Sequence, residues 1–544
     1  MRLVPTLFAS TLGFALLSAA ACGGGARDDG FGEGDSGTTP GTSSGTTPPP
    51  DSGTGFGETD SGGGGFTGDP KTCAQAAEAK SYVGCDYWPT VTYNSVFTQF
   101  DFAVVVSNVG DTEATVTVTG PNGTNETATV APQSLSTIEL PWVSSLKGVV
   151  STVNPITGSV GAPPNTASVL AAGGAYHLVS DVPVVVYQFS PLQYKQGSTL
   201  SYTNDASLLL PSTAMTGTYR IMSLNGLGTG AAASSYGNFV AITGTQDGTT
   251  VEVKLSATAG VLAGDSIPAT DAGGTVSLTL NAGDVAQLLA QGGVGFDPSG
   301  GLIRASAPVQ VITGTQIAVL PNDKPSGDHL EETVFPAETL GSRYLVQQPM
   351  GPTGQPVAQR VRMYGNVDGT TLTYSPSKPT DCPDTLAAGQ VAVCGSTTSA
   401  NFEVKGDHEF GVGLFQLGCT LVDPTAPRPK GDPSQSFSVA VEQYRSSYVF
   451  LAPTDYDVNF VDVIAPVGAT ISLDDEDVSD RFEPFEGTDF VQAHLTLENG
   501  SNGGSHSMKG SLPFGIQVLG YGEATSYQYP GGLNLGRIAP PPVN

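Results

Sequence analysis

The chain has 544 residues, more than one hydrophobic core usually serves, so several domains or a repeat array are expected. Its 71 glycines and 40 prolines, with charged residues at only 13%, suit many short strands rather than long helices. A formal net charge of −29 with no basic cluster works against binding phosphate backbones or anionic lipid headgroups and excludes nucleic acid as a ligand.

Arg2 precedes an apolar stretch, Leu12 to Leu17, and the small residues of "SAAAC" lead to Cys22. The stretch is far short of the ~20 apolar residues of a membrane-spanning helix, so it reads as a secretion signal. Its end resembles a bacterial lipobox, whose cysteine is lipidated and becomes the new N-terminus, although Ala19 stands where such boxes usually carry leucine. Residues 1–22 are therefore expected to be a lipoprotein signal peptide. It would export the chain and anchor it through Cys22 to the cell envelope, at the outer membrane or cell surface; signal cleavage beside an incidental cysteine is the alternative.

From Gly23 to Lys71 there is no Val, Ile, Leu, Met, Tyr or Trp. Such a Gly/Ser/Thr/Pro/Asp mixture buries too little apolar surface to offset chain entropy, and residues 23–72 are expected to be a disordered tether. At 5–6 Å × √n for a Gly-rich coil its mean reach is roughly 40 Å. The "GDSG" at Gly34 to Gly37 matches a serine-protease nucleophile string but reads as compositional in this setting.

Beyond the tether, Cys73 and Cys85 are twelve residues apart, as are Cys382 and Cys394. An exported chain can oxidise both pairs, each closing a short loop worth ~3 kcal/mol on the chain-entropy model. Cys419, after the apolar "GVGLFQLG", is expected to be a buried thiol.

Two hairpins repeat almost verbatim, "FVAITGTQDGTTVEV" from Phe239 and "VRMYGNVDGTTLTY" from Val361. Turn glycines Gly110, Gly248, Gly369 and Gly468 stand 138, 121 and 99 residues apart. Apolar strands opening at Pro183, Pro308, Phe410 and Phe514, and tyrosines Tyr219, Tyr344 and Tyr448 opening others, keep the same order at similar spacing. Repetition of this kind points to an all-β tandem array of about four modules. These are a disulfide-bearing N-terminal segment with module 1 at 73–225, then modules at 226–350, 351–453 and 454–544. Module 2 alone offers about eight strands, and alternation in "TVEVKL" and "VSLTL" fits antiparallel strands with one face on a core. Two-sheet sandwiches are expected; the alternative is a closed β-propeller-like ring, whose blades usually repeat nearer ~50 residues.

No G-x-S-x-G lies in the folded region, and His177, His329, His408, His494 and His506 are scattered without H-E-x-x-H spacing. "GLGTG" at Gly226 to Gly230 lacks the βαβ setting of a dinucleotide site and reads as a loop. Two acidic places remain. "LDDEDVSD" puts Asp474, Asp475 and Asp477 at a strand end, a candidate oxygen cage for Ca²⁺ or a solvated hairpin tip. "NDKPSGDHLEE" gathers Asp323, Asp328, His329, Glu331 and Glu332 on a predicted loop after a core strand, a candidate binding loop or a plain charged one. Apart from that Ca²⁺, no cofactor is expected.

"CAQAAEAKSYVGCDYWP" from Cys73, "NDASLLLP" from Asn204, the "DGTT" hairpins and "DHLEE" from Asp328 occur in an order that resembles the IgGFc-binding protein N-terminal family, over about Cys73 to Leu535. Members often carry cysteines before "DHLEE", whereas Leu320 to Gly327 has none. The resemblance implies a secreted, non-enzymatic binding or adhesive module, without implying antibody binding by this chain. The expected function is thus a surface-anchored lipoprotein acting as a binding or adhesion module for a protein or glycan. A secreted hydrolase with a dispersed site and a passive envelope structural protein are the alternatives. Nucleic acid is excluded as a partner, and membrane contact is expected through the lipid only.

Overall fold

The computed structural model describes residues 69–153, 160–228, 235–322, 327–498 and 504–542. Cys22, the expected signal segment, the expected tether up to residue 68, and Asp323 lie outside the described residues. The regular structure of the described chain is nearly all strand, with a few short helices such as Cys73–Ala79, capped by Thr72.

Four times the chain builds one arrangement around a strand that changes sheets halfway. In the first, His177–Ser190 pairs early with Gly84–Tyr87 and Ala114–Thr119, then with Phe102–Asn108 and Asp205–Leu208. In the second the same path is split at Ala307-Pro308. Leu302–Ala305 pairs with Thr218–Arg220 and Thr249–Lys254, and Val309–Val319 with Asn238–Gly244 and Gly327–Thr333. The third splits at Glu409: Phe402–Gly406 joins Arg343–Val346 and Thr370–Ser375, and Phe410–Gln416 joins Gln359–Gly365 and Gln435–Phe437. In the fourth, Ser505–Gly522 pairs with Arg445–Leu451 and Ile471–Leu473, then with Val458–Pro466 and Thr525–Pro530. Each is a two-sheet sandwich cornered by a strand shared between its sheets. Pro183, Pro308 and Pro513 sit at three of the bends, where a missing N–H does least damage to a ladder.

The sheets differ in what they bury. Thr249–Lys254 alternates strictly between buried and exposed residues, the pattern of an outer sheet wetted on one face. Asn238–Gly244, Phe102–Asn108 and Phe410–Gln416 are buried throughout, so the inner sheets are covered on both faces. A tandem array of β-sandwiches is therefore the fold; two face-packed sheets sharing one strand are not a pair of propeller blades. The tyrosine strands Thr218–Arg220, Arg343–Val346 and Arg445–Leu451 pair forward, so residues just before 226, 351 and 454 supply the first strand of the following sandwich.

Those tyrosines repeat one bond pattern. The Tyr219 hydroxyl accepts the Thr216 N–H (3.1 Å) and donates to the Val309 carbonyl (2.7 Å). Tyr344 does the same with Gly341 (3.1 Å) and Phe410 (2.6 Å), and Tyr448 with Arg445 (3.0 Å) and Phe514. The first sandwich has its own copy, since Tyr87 donates to the Val184 carbonyl at 2.6 Å. Each acceptor is the first residue past the bend, so each tyrosine pins the corner at which the long strand leaves one sheet for the other.

The repeated hairpins are tight turns: Gly248 has φ 71° and Gly369 φ 75°. Asp247 accepts the Ala282 N–H (3.1 Å) and Asp368 the Ala388 N–H (2.8 Å), so both halves of each Asp-Gly pair carry structure. A side chain at either glycine would meet open space, which leaves backbone strain as its whole cost. Gly248→Val and Gly369→Val are each expected to lose about 1–3 kcal/mol, additively in the double variant. Thermal unfolding checks this; unchanged stability in both single variants would overturn the turn assignment.

Disulfides join Cys73 to Cys85 and Cys382 to Cys394, and Cys419 is a buried free thiol. Four inner edge strands, Asp205–Leu208, Gly327–Thr333, Gln435–Phe437 and Thr525–Pro530, pack first on second, second on third, third on fourth and fourth on first. The ends of the body close the same cycle: Tyr82 N–H donates to the Leu533 carbonyl (3.2 Å) and Leu535 N–H to the Lys80 carbonyl (2.9 Å).

Candidate functional site

The expected binding loop is not a loop. Asp328, His329, Glu331 and Glu332 lie in the strand Gly327–Thr333, each at 0% exposure, at the hub where the four inner edge strands meet. Glu331 is the best satisfied. Its Oε1 accepts from Gln188 Nε2 (2.9 Å) and Ser207 Oγ (3.3 Å), and its Oε2 accepts from Thr92 Oγ1 and lies 3.4 Å from His329 Nε2. Asp205 accepts the N–H groups of Ala206 and Glu331, both at 2.9 Å, tying two edge strands to one carboxyl. Glu332 Oε1 accepts from Leu208 N (3.2 Å) and Thr333 N (2.9 Å), and Asp328 Oδ1 from His329 N (2.7 Å). Burial pushes Asp205, Asp328, Glu332 and Asp432 well above the usual carboxylate range. Sealed side chains of this kind hold strands together and are out of reach of a partner.

The Ca²⁺ cage is not assembled. Asp474 Oδ1 accepts the Ser507 N–H (2.8 Å) and its Oδ2 lies 2.7 Å from His506 Nδ1, Asp475 pairs with Lys509 Nζ (3.3 Å), and Asp477 accepts Ser479 N–H (2.9 Å). Each carboxylate is committed to its own neighbour, and among the described residues no three His, Cys, Asp or Glu side chains are placed to hold a metal ion. Burial raises Asp474, but the bonds from His506 and Ser507 outweigh it and hold the carboxyl below its ordinary value. His177 likewise pairs with Asp86 (2.8 Å) and His494 with Asp462 (2.7 Å).

What the acidic hairpin does border is an open cleft of about 1010 Å³ between the first and fourth sandwiches, beside the point where the described chain begins. Asp69, on its rim, is held by Arg445 and Ser447, and the Arg445 guanidinium lies 5.1 Å from the Tyr82 ring centre. Two exposed ion pairs line it, Lys71–Asp111 at 3.2 Å and Lys509–Asp475 at 3.3 Å. His506 sits beneath them, its side chain 5% exposed. Sequence reasoning missed this cleft because its walls come from residues near 70, 110, 180, 475 and 507, which share no local motif.

A family model described as IgGFc binding protein matches residues 205–520. No curated protein matches the chain. Among solved structures, the chain is 14% identical to one titled as a crystal structure of a tetra-tandem repeat in the extending region of a large adhesion protein. The match covers 83% of this chain and 99% of that one, with a TM-score of 0.09.

Proposed function

Because the chain belongs to the IgGFc-binding protein family, whose model spans residues 205–520, we propose that it is a non-enzymatic binding or adhesion module for a protein partner. In this reading it is displayed at the cell envelope through a lipidated Cys22 and the tether that follows. The family is a binding-type family, and nothing in the described residues indicates a cofactor. The observation that carries the reading is the cleft. Lys71 and Asp111 are 76% and 78% exposed and Lys509 and Asp475 59% and 83%, so their mutual pairs are surface pairs worth about 0–1 kcal/mol. Charges held so weakly can be exchanged for a partner's at little cost, and alternating signs select a matching surface. A protein suits this lining better than a glycan, since among the described residues no tryptophan, tyrosine or phenylalanine lines the cleft to stack on a sugar ring. Immunoglobulin Fc is a probe supplied by the family description; antibody binding is not part of the proposal.

One experiment tests display and binding together: cross-linking on intact cells, detergent extraction and mass spectrometry of the chain. The expected result is a diacyl-modified Cys22 at the N-terminus and a protein cross-linked to residues near 71, 475 or 509. Yield should fall at least tenfold in Lys71→Glu/Lys509→Glu. A free N-terminus near residue 22 would refute the anchor, and an undiminished yield in the double variant would refute the cleft.

A further inference from the structure

The hub holds more acid than its surroundings can support in ionised form. Asp205, Asp328, Glu331 and Glu332 are each 0% exposed and Asp432 4%, at the place where edge strands of all four sandwiches pack. Facing them are His329 on the same strand, and Tyr456 and Tyr529 from the fourth sandwich, with Asp455 beside Tyr456. Among the described residues the one basic side chain within 4 Å of a hub carboxylate is His329, 3.4 Å from Glu331, and no lysine or arginine forms a salt bridge with Asp205, Asp328, Glu332 or Asp432. Moreover, among the described residues, Asp328 Oδ2, Glu332 Oε2 and Asp432 Oδ1 are buried and find no hydrogen-bond partner. A dry, unpaired carboxylate costs several kcal/mol, whereas a neutral carboxyl group costs far less.

We propose that the hub is a proton-loaded latch: the four sandwiches stay closed around it while Asp205, Asp328, Glu332 and Asp432 carry protons, and the body loosens as those protons are lost on the alkaline side. Burial, the largest cause of the upward shift at Asp205, Asp328, Glu332 and Asp432, agrees with this. For an acid raised in the folded state, the stabilisation is complete below the unfolded value, near pH ~4, and is lost as pH rises through the folded value. Over that interval each retained proton raises the unfolding constant about tenfold per pH unit. Most exported proteins with paired surface acids lose stability in the opposite direction, on acidification.

Other groups set the window. Asp474 and Asp86, both lowered, lose support only on acidification. Lys147, pushed down to about 8 by burial, adds stability as pH climbs past that value, so the scan stops at pH 8. Asp455 at the hub's edge, raised to about 6 by burial, contributes the same sign as the hub acids, as do Asp462 and His494 from elsewhere. Only the part of the slope removed by hub substitutions therefore belongs to the latch.

Urea unfolding of the full chain from pH 5 to 8 tests the proposal, with Asp328→Asn, Glu332→Gln and Asp432→Asn beside the wild type. The expected result is an unfolding constant that rises at least tenfold across the range in the wild type and clearly less in the variants. Infrared spectroscopy of the wild type needs no substitution: the C=O stretch of protonated carboxyl groups should be present in the folded protein at pH 7. A wild-type stability that is flat or rises with pH, variants that keep the full slope, or a folded protein at pH 7 without that band would each overturn the latch.

Discussion

Tyr448→Ala should cost about 4–5 kcal/mol, and Tyr448→Phe about 1–3 kcal/mol. The ring is 2% exposed and packs edge-on against Phe514 with centres 5.0 Å apart, so alanine leaves a cavity at the corner of the fourth sandwich. Phenylalanine keeps the ring and removes only the hydroxyl, orphaning the Arg445 N–H and the Phe514 carbonyl that it satisfies. Tyr344 makes the same bonds against Phe410, its ring centre 4.9 Å away, so Tyr344→Phe should match Tyr448→Phe within the scatter of such measurements. Chemical denaturation of the three variants checks both statements. A Phe variant as costly as the Ala variant would show that the hydroxyl's bonds carry the corner, and a costless one that they contribute nothing.

Gly314→Val should be comparably severe, at about 3 kcal/mol or more, for a different reason. A Cβ at Gly314 would lie 1.9 Å from the Leu330 carbonyl oxygen and 2.4 Å from the Phe239 ring. Gly314 faces Phe239 on one side and Glu331 on the other across two ladders, so the strand that carries the hub acids approaches too closely to admit any side chain. Relief requires moving backbone, and with it the bonds of Glu331 to Gln188 and Thr92. Hydrogen exchange should report the loss first in Gly327–Thr333. A variant as stable as wild type would contradict the close packing described for the hub.

How much of this was legible in the sequence varied with how local its cause was. Outer strands such as Thr249–Lys254 declare themselves by period-two alternation, and the Asp-Gly turns by their need for positive φ, because both signals sit within a few residues. The tyrosines Tyr219, Tyr344 and Tyr448 were readable as landmarks because similar residues surround each. Tyr87 escaped notice: it follows "GCD" in the disulfide segment, and its partner Val184 is distant in sequence. The "DHLEE" segment was misread for a related reason. Charged residues after a Gly/Pro-rich stretch read as a solvated loop, and the donors that make burial tolerable, Thr92, Gln188 and the backbone of Leu208, lie more than a hundred residues earlier. Nothing within the segment could have revealed them. The acidic hairpin follows the strand Ile471–Leu473, but its place at the cleft depends on His506 and Lys509 from another strand.

Two acidic regions stand apart in the fold, a sealed hub where the sandwiches pack and an open cleft, the proposed partner surface. Side-by-side capture by full-length Glu332→Gln and Lys509→Glu chains, each first shown to be folded by circular dichroism, tests that division most directly. The expected result is a cross-linked protein retained by Glu332→Gln at wild-type yield and reduced severalfold by Lys509→Glu; loss of capture in Glu332→Gln with full capture in Lys509→Glu would contradict it.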